Sequence, residues 1–434
     1  MIRRIVYVSR QMTGESLRSA KAIKRLSEVE LFGICEQAPD SARAETFADL
    51  ICVNDAGKPD QLITAAQVLA QRHGALHQLV TAQEPLLDSV AAANEALGLR
   101  GMTLATVRGT LNKARFRQTL TQAGIKTAQH RVVTAKEDAR TFAAELGFPI
   151  VLKTVSGSGG LTTWRVRDAE QLDSALDLLE RASENVLLAE QHISGREIAI
   201  DTITIGNEPQ FYSACYYRPS ILEALENPQV QWTCIMPRSI SEACSENIVE
   251  QSLAAVRALQ VGNAMTHMEM LLPEDGTAVF IDATLRPAGA RIGPMLGFCY
   301  DMDPHLAWAR AVIDGCFDGP WERKYAVGTI FLRGKGAGVI EDVAGLDVVK
   351  QSMGDLIIEA RLPLLQAAKA RSYTGDGYIT VRHPDTQVVE QALRSIAETV
   401  CITYSQPDEV KPSIQFFNQH MTKPAWEDDS LPAL

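Results

Sequence analysis

The chain of 434 residues contains no run of the roughly 18 consecutive apolar residues that a membrane-spanning helix needs. Surplus positive charge is also missing: 42 Lys and Arg face 53 Asp and Glu, a formal net charge of −11. Nucleic-acid and membrane-surface binders want a cationic face, so neither is expected as a partner. The eight cysteines are scattered and none forms a CxxC pair, which excludes a zinc ribbon or a thioredoxin-type site and leaves reduced, mostly buried thiols as the expectation. The opening MIRRIVYVSR has an apolar stretch too short for a secretory signal, so a cytoplasmic address is expected. No GxGxxG follows the first strand-like run, and no GK[ST] follows the one glycine-rich loop, so neither a dinucleotide fingerprint nor a Walker A loop is present.

What is present is an ordinary globular balance, 46% hydrophobic and 22% charged, long enough for two to four domains. Strand-like runs at 5–8, 29–35, 51–53 and 76–80 alternate with helix-like segments at 13–26, 61–71 and 86–97. That alternation predicts a parallel α/β sheet over residues 1–108. Residues 110–145 read as mainly helical. Strands follow at 148–152, 161–166, 186–189, 197–205 and 210–217, and the spacing over 241–259 is helical. The last hundred residues read as α+β, with strands near 327–332, 355–359 and 377–382, a helix near 386–399 and a loose polar tail after Gln419.

Two apolar runs, Met265–Leu272 and Ala278–Leu285, flank Asp275-Gly276, a strong two-residue turn signal. With those two residues as the loop, Glu269 stands opposite Asp282 and His267 opposite Thr284, on one face with Phe280 and Arg286. Met268, Met270, Val279, Ile281, Ala283 and Leu285 form the core face. Carboxylates on opposed β-carbons about 4.5–5.5 Å apart repel, so they need a cation between them or a shared proton. Magnesium suits the position, being commonly held by one or two carboxylates and phosphate oxygens. A solvated polar face without a ligand is the competing reading. Upstream, Lys153 precedes the loop Ser156-Gly157-Ser158-Gly159-Gly160, whose backbone could cradle phosphate; a plain surface loop is the alternative.

Taken in order, these pieces resemble the ATP-grasp superfamily over roughly residues 100–320. Asn112-Lys113 opens a helix ending in Ala123-Gly124-Ile125, like the family's "DKxxxRxxLxxAGIPxP" stretch. Phe148 to Lys153 and the glycine loop follow. Glu190-Gln191-His192-Ile193-Ser194-Gly195-Arg196-Glu197 resembles its "E…GxE" hinge. Glu269 with Asp282, Thr284, Arg286, Pro287 and Gly289 resembles "E…ExNxRxxG". The resemblance implies an α/β and α+β architecture: an N-terminal parallel α/β domain (1–108), a small subdomain with a glycine lid (109–188), a large subdomain with a metal site (189–320) and a C-terminal α+β region (321–434).

It also implies roles. Lys113 and Lys153 would neutralise ATP phosphates, and the loop Ser156, Gly157, Ser158, Gly159 and Gly160 would close over them. Glu190 would face the adenine amino group, His192 would lie beside the nucleotide, and Ile193 would offer its backbone to the ring edge. Glu197 would bond the ribose. Glu269, Asp282 and Thr284 would hold magnesium, with manganese as a substitute, and Arg286 would stabilise the phosphoryl group. His267 would either touch the reacting groups or support Glu269. Gly289 and Arg291 are candidate substrate contacts, Arg291 equally a surface arginine. Tyr216, Tyr217, Arg218, Trp232 and Met236 fall where substrate pockets or core would lie. Two departures stand out: Asp282 replaces the usual Glu, and Thr284 the usual Asn, which puts a second metal in question.

Within the superfamily the layout is similar to the L-amino-acid ligases, as is Ala326 to Leu332 followed by Gly336 to Ile340. The implied reaction joins a small-molecule carboxylate to an amine through an acyl phosphate, releasing ADP and phosphate. A carboxylase or purine-pathway ligase, and a degenerate ATP-binding regulator, are the alternatives. A homodimer is implied by the family only.

Overall fold

The computed structural model describes residues 2–155, 163–181 and 186–407. The glycine loop Ser156–Gly160 and the tail after Gln419 lie outside the described residues. Four strands open the chain: β1 (Arg3–Gln11), β2 (Val29–Gln37), β3 (Leu50–Cys52) and β4 (Gln78–Val80). They pair in parallel in the order β3-β2-β1-β4. Their unbroken apolar runs follow from burial on both faces. Val6, Val8, Phe32 and Ile34 pack on the helix Pro59–His73. Ile5, Tyr7, Leu31 and Cys35 face the rest of the molecule.

A second sheet is built from β5 (His130–Val133), β6 (Ile150–Thr154), β7 (Thr163–Val166) and β8 (Leu187–Gln191), antiparallel in the order β5-β8-β6-β7. The strand β5 corrects the mainly helical reading of residues 110–145. It is four residues long and its partner lies more than fifty residues ahead, a pairing that local periodicity does not register.

The remaining strands are β9 (Arg196–Ile205), β10 (Glu208–Arg218), β11 (Trp232–Met236), β12 (Ala264–Leu272), β13 (Val279–Thr284), β14 (Ala326–Leu332), β15 (Ala337–Ala344), β16 (Ile357–Arg361), β17 (Gly377–His383) and β18 (Cys401–Gln406). Eight of them form one antiparallel sheet in the order β13-β12-β9-β10-β11-β14-β17-β16, while β15 and β18 pair separately. One face of the large sheet packs on the helices Glu246–Leu259 and Thr386–Thr399. The other faces the N-terminal unit and the helix Ile292–Tyr300. The helical spacing over 241–259 resolves into two helices, Ile240–Ala243 and Glu246–Leu259, because Cys244 is extended and Ser245 starts the second.

The hairpin differs from the two-residue-turn expectation in an informative way. His267 pairs with Thr284, Met268 with Ala283 and Glu269 with Asp282, as that register requires. The ladder then slips by one residue, so Met270 faces Phe280 and Leu271 faces Val279. Pro273 to Ala278 make a six-residue connection in which Gly276 donates to the Pro273 carbonyl at 3.0 Å. The bulge moves Phe280 off the polar face into the core beside Met268 and Met270, and leaves Ile281 half-buried. The apolar payload of Phe280 exceeds that of Ile281, and the slip seats it without disturbing the two rows nearer the strand end.

Candidate active site

The polar face of the large sheet carries two side-chain rows. Asp201 on β9, His267 on β12 and Thr284 on β13 are register neighbours, and so are Ala199, Glu269 and Asp282. Side chains alternate along each strand, so both rows project from the same face. Asp201, His267 and Thr284 are buried, whereas Glu269 and Asp282 are partly open.

Beside this sheet stands the helix Lys113–Gln122, capped by the Asn112 side chain accepting from the Arg115 amide at 3.1 Å. Lys113 Nζ lies 2.6 Å from Asp282 Oδ2. One turn further on, Arg117 points the same way and is wholly buried. It donates to the Lys113 carbonyl at 2.9 Å and the Ile281 carbonyl at 2.8 Å, and its Nε is 2.5 Å from Glu190 Oε1. The second Glu190 oxygen is 2.6 Å from Lys153 Nζ. Burial, reinforced by the Arg117 charge, brings the Lys153 ammonium down to about 8 despite the Glu190 carboxylate. Burial opposes the Asp282 charge, yet Lys113 and Lys153 hold its carboxyl below the usual value. The small sheet and the helix thus deliver Lys113, Lys153 and Glu190 to one place, around an Arg117 to which no role was given from the sequence. Its signal was there in the four-residue spacing from Lys113.

On the other side of Glu269, the Tyr217 hydroxyl donates to Glu269 Oε1 at 3.3 Å and lies 2.9 Å from His267 Nε2. His267 Nδ1 is 2.9 Å from Asp201 Oδ1, and its Nε2 is 3.4 Å from Glu269. Burial works against charge on this imidazole, but Asp201 and Glu269 outweigh it and raise its pKa well above the ordinary value. Asp201 is a site residue that the sequence reading missed; alternation along an ordinary apolar strand gives it no local signature. Glu197 is buried and accepts from the Ile221 amide at 2.7 Å. Burial, then the nearby Glu269 charge, pushes its carboxyl up to about 8. Gly195, two residues earlier, has a structural reason: a β-carbon there would lie 2.4 Å from the Leu272 carbonyl oxygen. His192 and Ile193 sit half-buried between β8 and β9, and burial with Arg165 lowers the His192 pKa.

Arg286 donates to the Pro287 carbonyl at 2.8 Å and to Glu84 Oε2 at 3.1 Å, which brings the end of the hairpin against the segment following β4. Gly289 accepts from the Ile292 amide at 2.9 Å. Arg291 has both prongs engaged, one with Glu15 at 2.8 Å and one with Glu359, and it lies over the Tyr378 ring. Glu15 also meets Arg18 and His305; burial opposes its charge, but these partners hold its carboxyl far below the usual range. Tyr216 lies on the opposite sheet face with Glu390, Arg218 pairs with Glu390, and Trp232 and Met236 are core. Tyr373, from the C-terminal region, stacks edge-on against Trp232 at 4.8 Å. Its phenol is raised by burial and then by the Glu269 charge.

The donor set suits a hard cation. Glu269 and Asp282 offer carboxylate oxygens from opposed positions, and the buried Thr284 hydroxyl has no hydrogen-bond partner among the described residues. Among the described residues no group of three or more His, Cys, Asp and Glu could hold a metal by itself. A two-carboxylate set matches magnesium, which completes its octahedron with water and phosphate oxygens.

Residues 118–287 match the ATP-grasp domain family. Alanine–anticapsin ligase of Bacillus subtilis is 22% identical over 266 residues, 57% of this chain and 56% of its own length. The L-arginine-specific L-amino acid ligase of the same species is 24% identical over 228 residues, 51% of this chain and 54% of its own. These matches therefore span only about half the length of those relatives. The crystal structure of an L-amino acid ligase from Bacillus licheniformis superposes with a TM-score of 0.72 at 20% identity, covering 93% of this chain and 99% of that one. The chain carries an ATP-grasp domain, set in the overall fold of an L-amino acid ligase.

Proposed function

We propose that this protein is an ATP-dependent carboxylate–amine ligase that joins two amino acids or amino-acid-like substrates through an acyl phosphate. One observation carries the reading: Glu269 and Asp282 face each other in register, with Lys113 on Asp282 and the buried Lys153 next to it. Carboxylates for a metal and lysines for phosphate oxygens are what phosphoryl transfer demands, since its catalysis is mainly charge placement. Glu269 and Asp282 would hold magnesium, which supplies neutralisation of the triphosphate. Lys113 and Lys153 would bind phosphate oxygens, Glu190, His192 and Ile193 the adenine, and Glu197 the ribose. The loop Ser156–Gly160 would cover the phosphates. Arg286 would stabilise the transferred phosphoryl group, and Gly289 would border the carboxylate substrate.

The chemistry balances in two steps. A carboxylate oxygen forms a bond to the γ-phosphorus while the bond to the bridging oxygen breaks, and ADP leaves. The amine nitrogen then bonds to the acyl carbon, loses a proton, and phosphate departs with the former carboxylate oxygen. His267 would fix Glu269, which it contacts, and Arg291 would hold units together, its guanidinium meeting two carboxylates. Phosphate release should require both a carboxylate and an amine substrate, scanned over pairs of L-amino acids, and should vanish in Glu269→Ala. Release that is independent of any amine, or tight ATP binding with no release, would contradict the ligase reading and favour a carboxylase or a regulatory ATP-binding protein.

A further inference from the structure

Carboxylates and basic groups at the centre of this site form contacts with one another. Asp282 meets Lys113, Glu190 meets both Arg117 and Lys153, and Glu269 and Asp201 meet His267. Lys113 is only 7% exposed, so its ammonium has little access to solvent, and it occupies Oδ2 of Asp282 while the Ala283 amide donates to Oδ1 at 3.0 Å. A divalent ion arriving alone would have to displace a buried lysine, with no third His, Cys, Asp or Glu ligand among the described residues to compensate. A nucleotide arriving alone would bring about four negative charges to carboxylates already satisfied.

We propose that Lys113 is a guard on Asp282: the free protein excludes divalent metal, and metal and nucleotide enter as one unit as Lys113 exchanges Asp282 for phosphate. This rests on the nucleotide reading above and adds an order of binding to it. The triphosphate supplies the anionic partner that Lys113 leaves Asp282 to meet, and the released carboxylate takes the metal. By linkage, each ligand then raises the affinity of the other by the same factor.

The test is manganese binding to the full chain, read by the loss of the free-ion electron paramagnetic resonance signal, without any turnover. Free wild-type protein should leave the signal unchanged at concentrations where protein with a non-hydrolysable ATP analogue binds stoichiometrically, beyond what the analogue chelates alone. Lys113→Met, which keeps most of the side-chain length and removes the charge, should bind manganese without nucleotide at least tenfold more tightly than wild type. Lys113→Arg, which retains a cation, should still exclude manganese in the absence of nucleotide. A folded Lys113→Met that gains no affinity overturns the proposal. So does stoichiometric manganese binding to nucleotide-free wild type, a measurement that needs no variant and leaves the ligase reading intact. No manganese binding even with the analogue would instead remove the nucleotide reading, and this inference with it.

Discussion

At the scale of single residues, the site turns on charges that are buried and paired. Arg117 is the clearest instance, with three partners on three segments, its own helix included, and no exposure. Removing one partner of a buried pair leaves the other charged and unmatched, at a cost of about 3–5 kcal/mol. Arg117→Met should therefore lower stability by up to about that amount in urea unfolding, Lys153 still pairing with Glu190, while substitution of an exposed pair such as Arg108–Asp88 should change it by less than about 1 kcal/mol. Lys153 makes a second prediction. Its ammonium titrates near 8, and phosphate binding uses the charged form. Nucleotide affinity should hold below pH 8 and fall above it, by up to about tenfold per pH unit. In Glu190→Gln the carboxylate that favours the charge is gone, so the fall should begin at lower pH. Calorimetric titration with an ADP analogue between pH 6.5 and 9.5 measures both, and a flat profile would show that Lys153 does not meet phosphate.

At the scale of elements, the hairpin shows what was legible and what was not. Period-two alternation and the Asp275-Gly276 signal were enough to place Glu269 opposite Asp282 and His267 opposite Thr284. The slip beyond Glu269 was not legible, because it depends on which apolar side chain fits the core behind β12, a three-dimensional question. The helix 113–122 and strand β6 could be read from periodicity and order, but β5 could not, since four residues carry no period and its partner is distant. Asp201 was hidden for the same reason: its role comes from the strand beside it. The bulge has a measurable consequence. Phe280→Ala should cost about 3–5 kcal/mol, as for a fully buried aromatic, whereas Ile281→Ala should cost clearly less. Equal losses would argue for the unslipped register.

At the scale of the molecule, the site is assembled from parts far apart in sequence. The helix 113–122 brings Lys113, the small sheet Lys153 and Glu190, and the large sheet Glu197, Glu269 and Asp282. Arg286 reaches Glu84 beyond β4, and Arg291 joins Glu15 of the N-terminal unit to Glu359 of β16. The alternation of segments pointed to the N-terminal parallel sheet and the resemblance in motif order to the rest of this layered architecture, whereas Glu84, Glu15 and Glu359 are brought in only by the packing of units. An assembly of that kind, with the hairpin at its centre, would let one molecule hold a nucleotide, a carboxylate and an amine together under the proposed function. Effective concentration does the rest: holding reactants in place converts a bimolecular encounter into a unimolecular step.

The most direct test of the central claim follows the carboxylate oxygen. A carboxylate substrate labelled with oxygen-18 should be turned over with ATP and an amine, and the released phosphate analysed by mass spectrometry. An acyl-phosphate route transfers one labelled oxygen into each phosphate, in step with the amide formed, and none with Glu269→Ala. Phosphate released without label would mean that water, not the carboxylate, attacks the nucleotide, and would contradict the account.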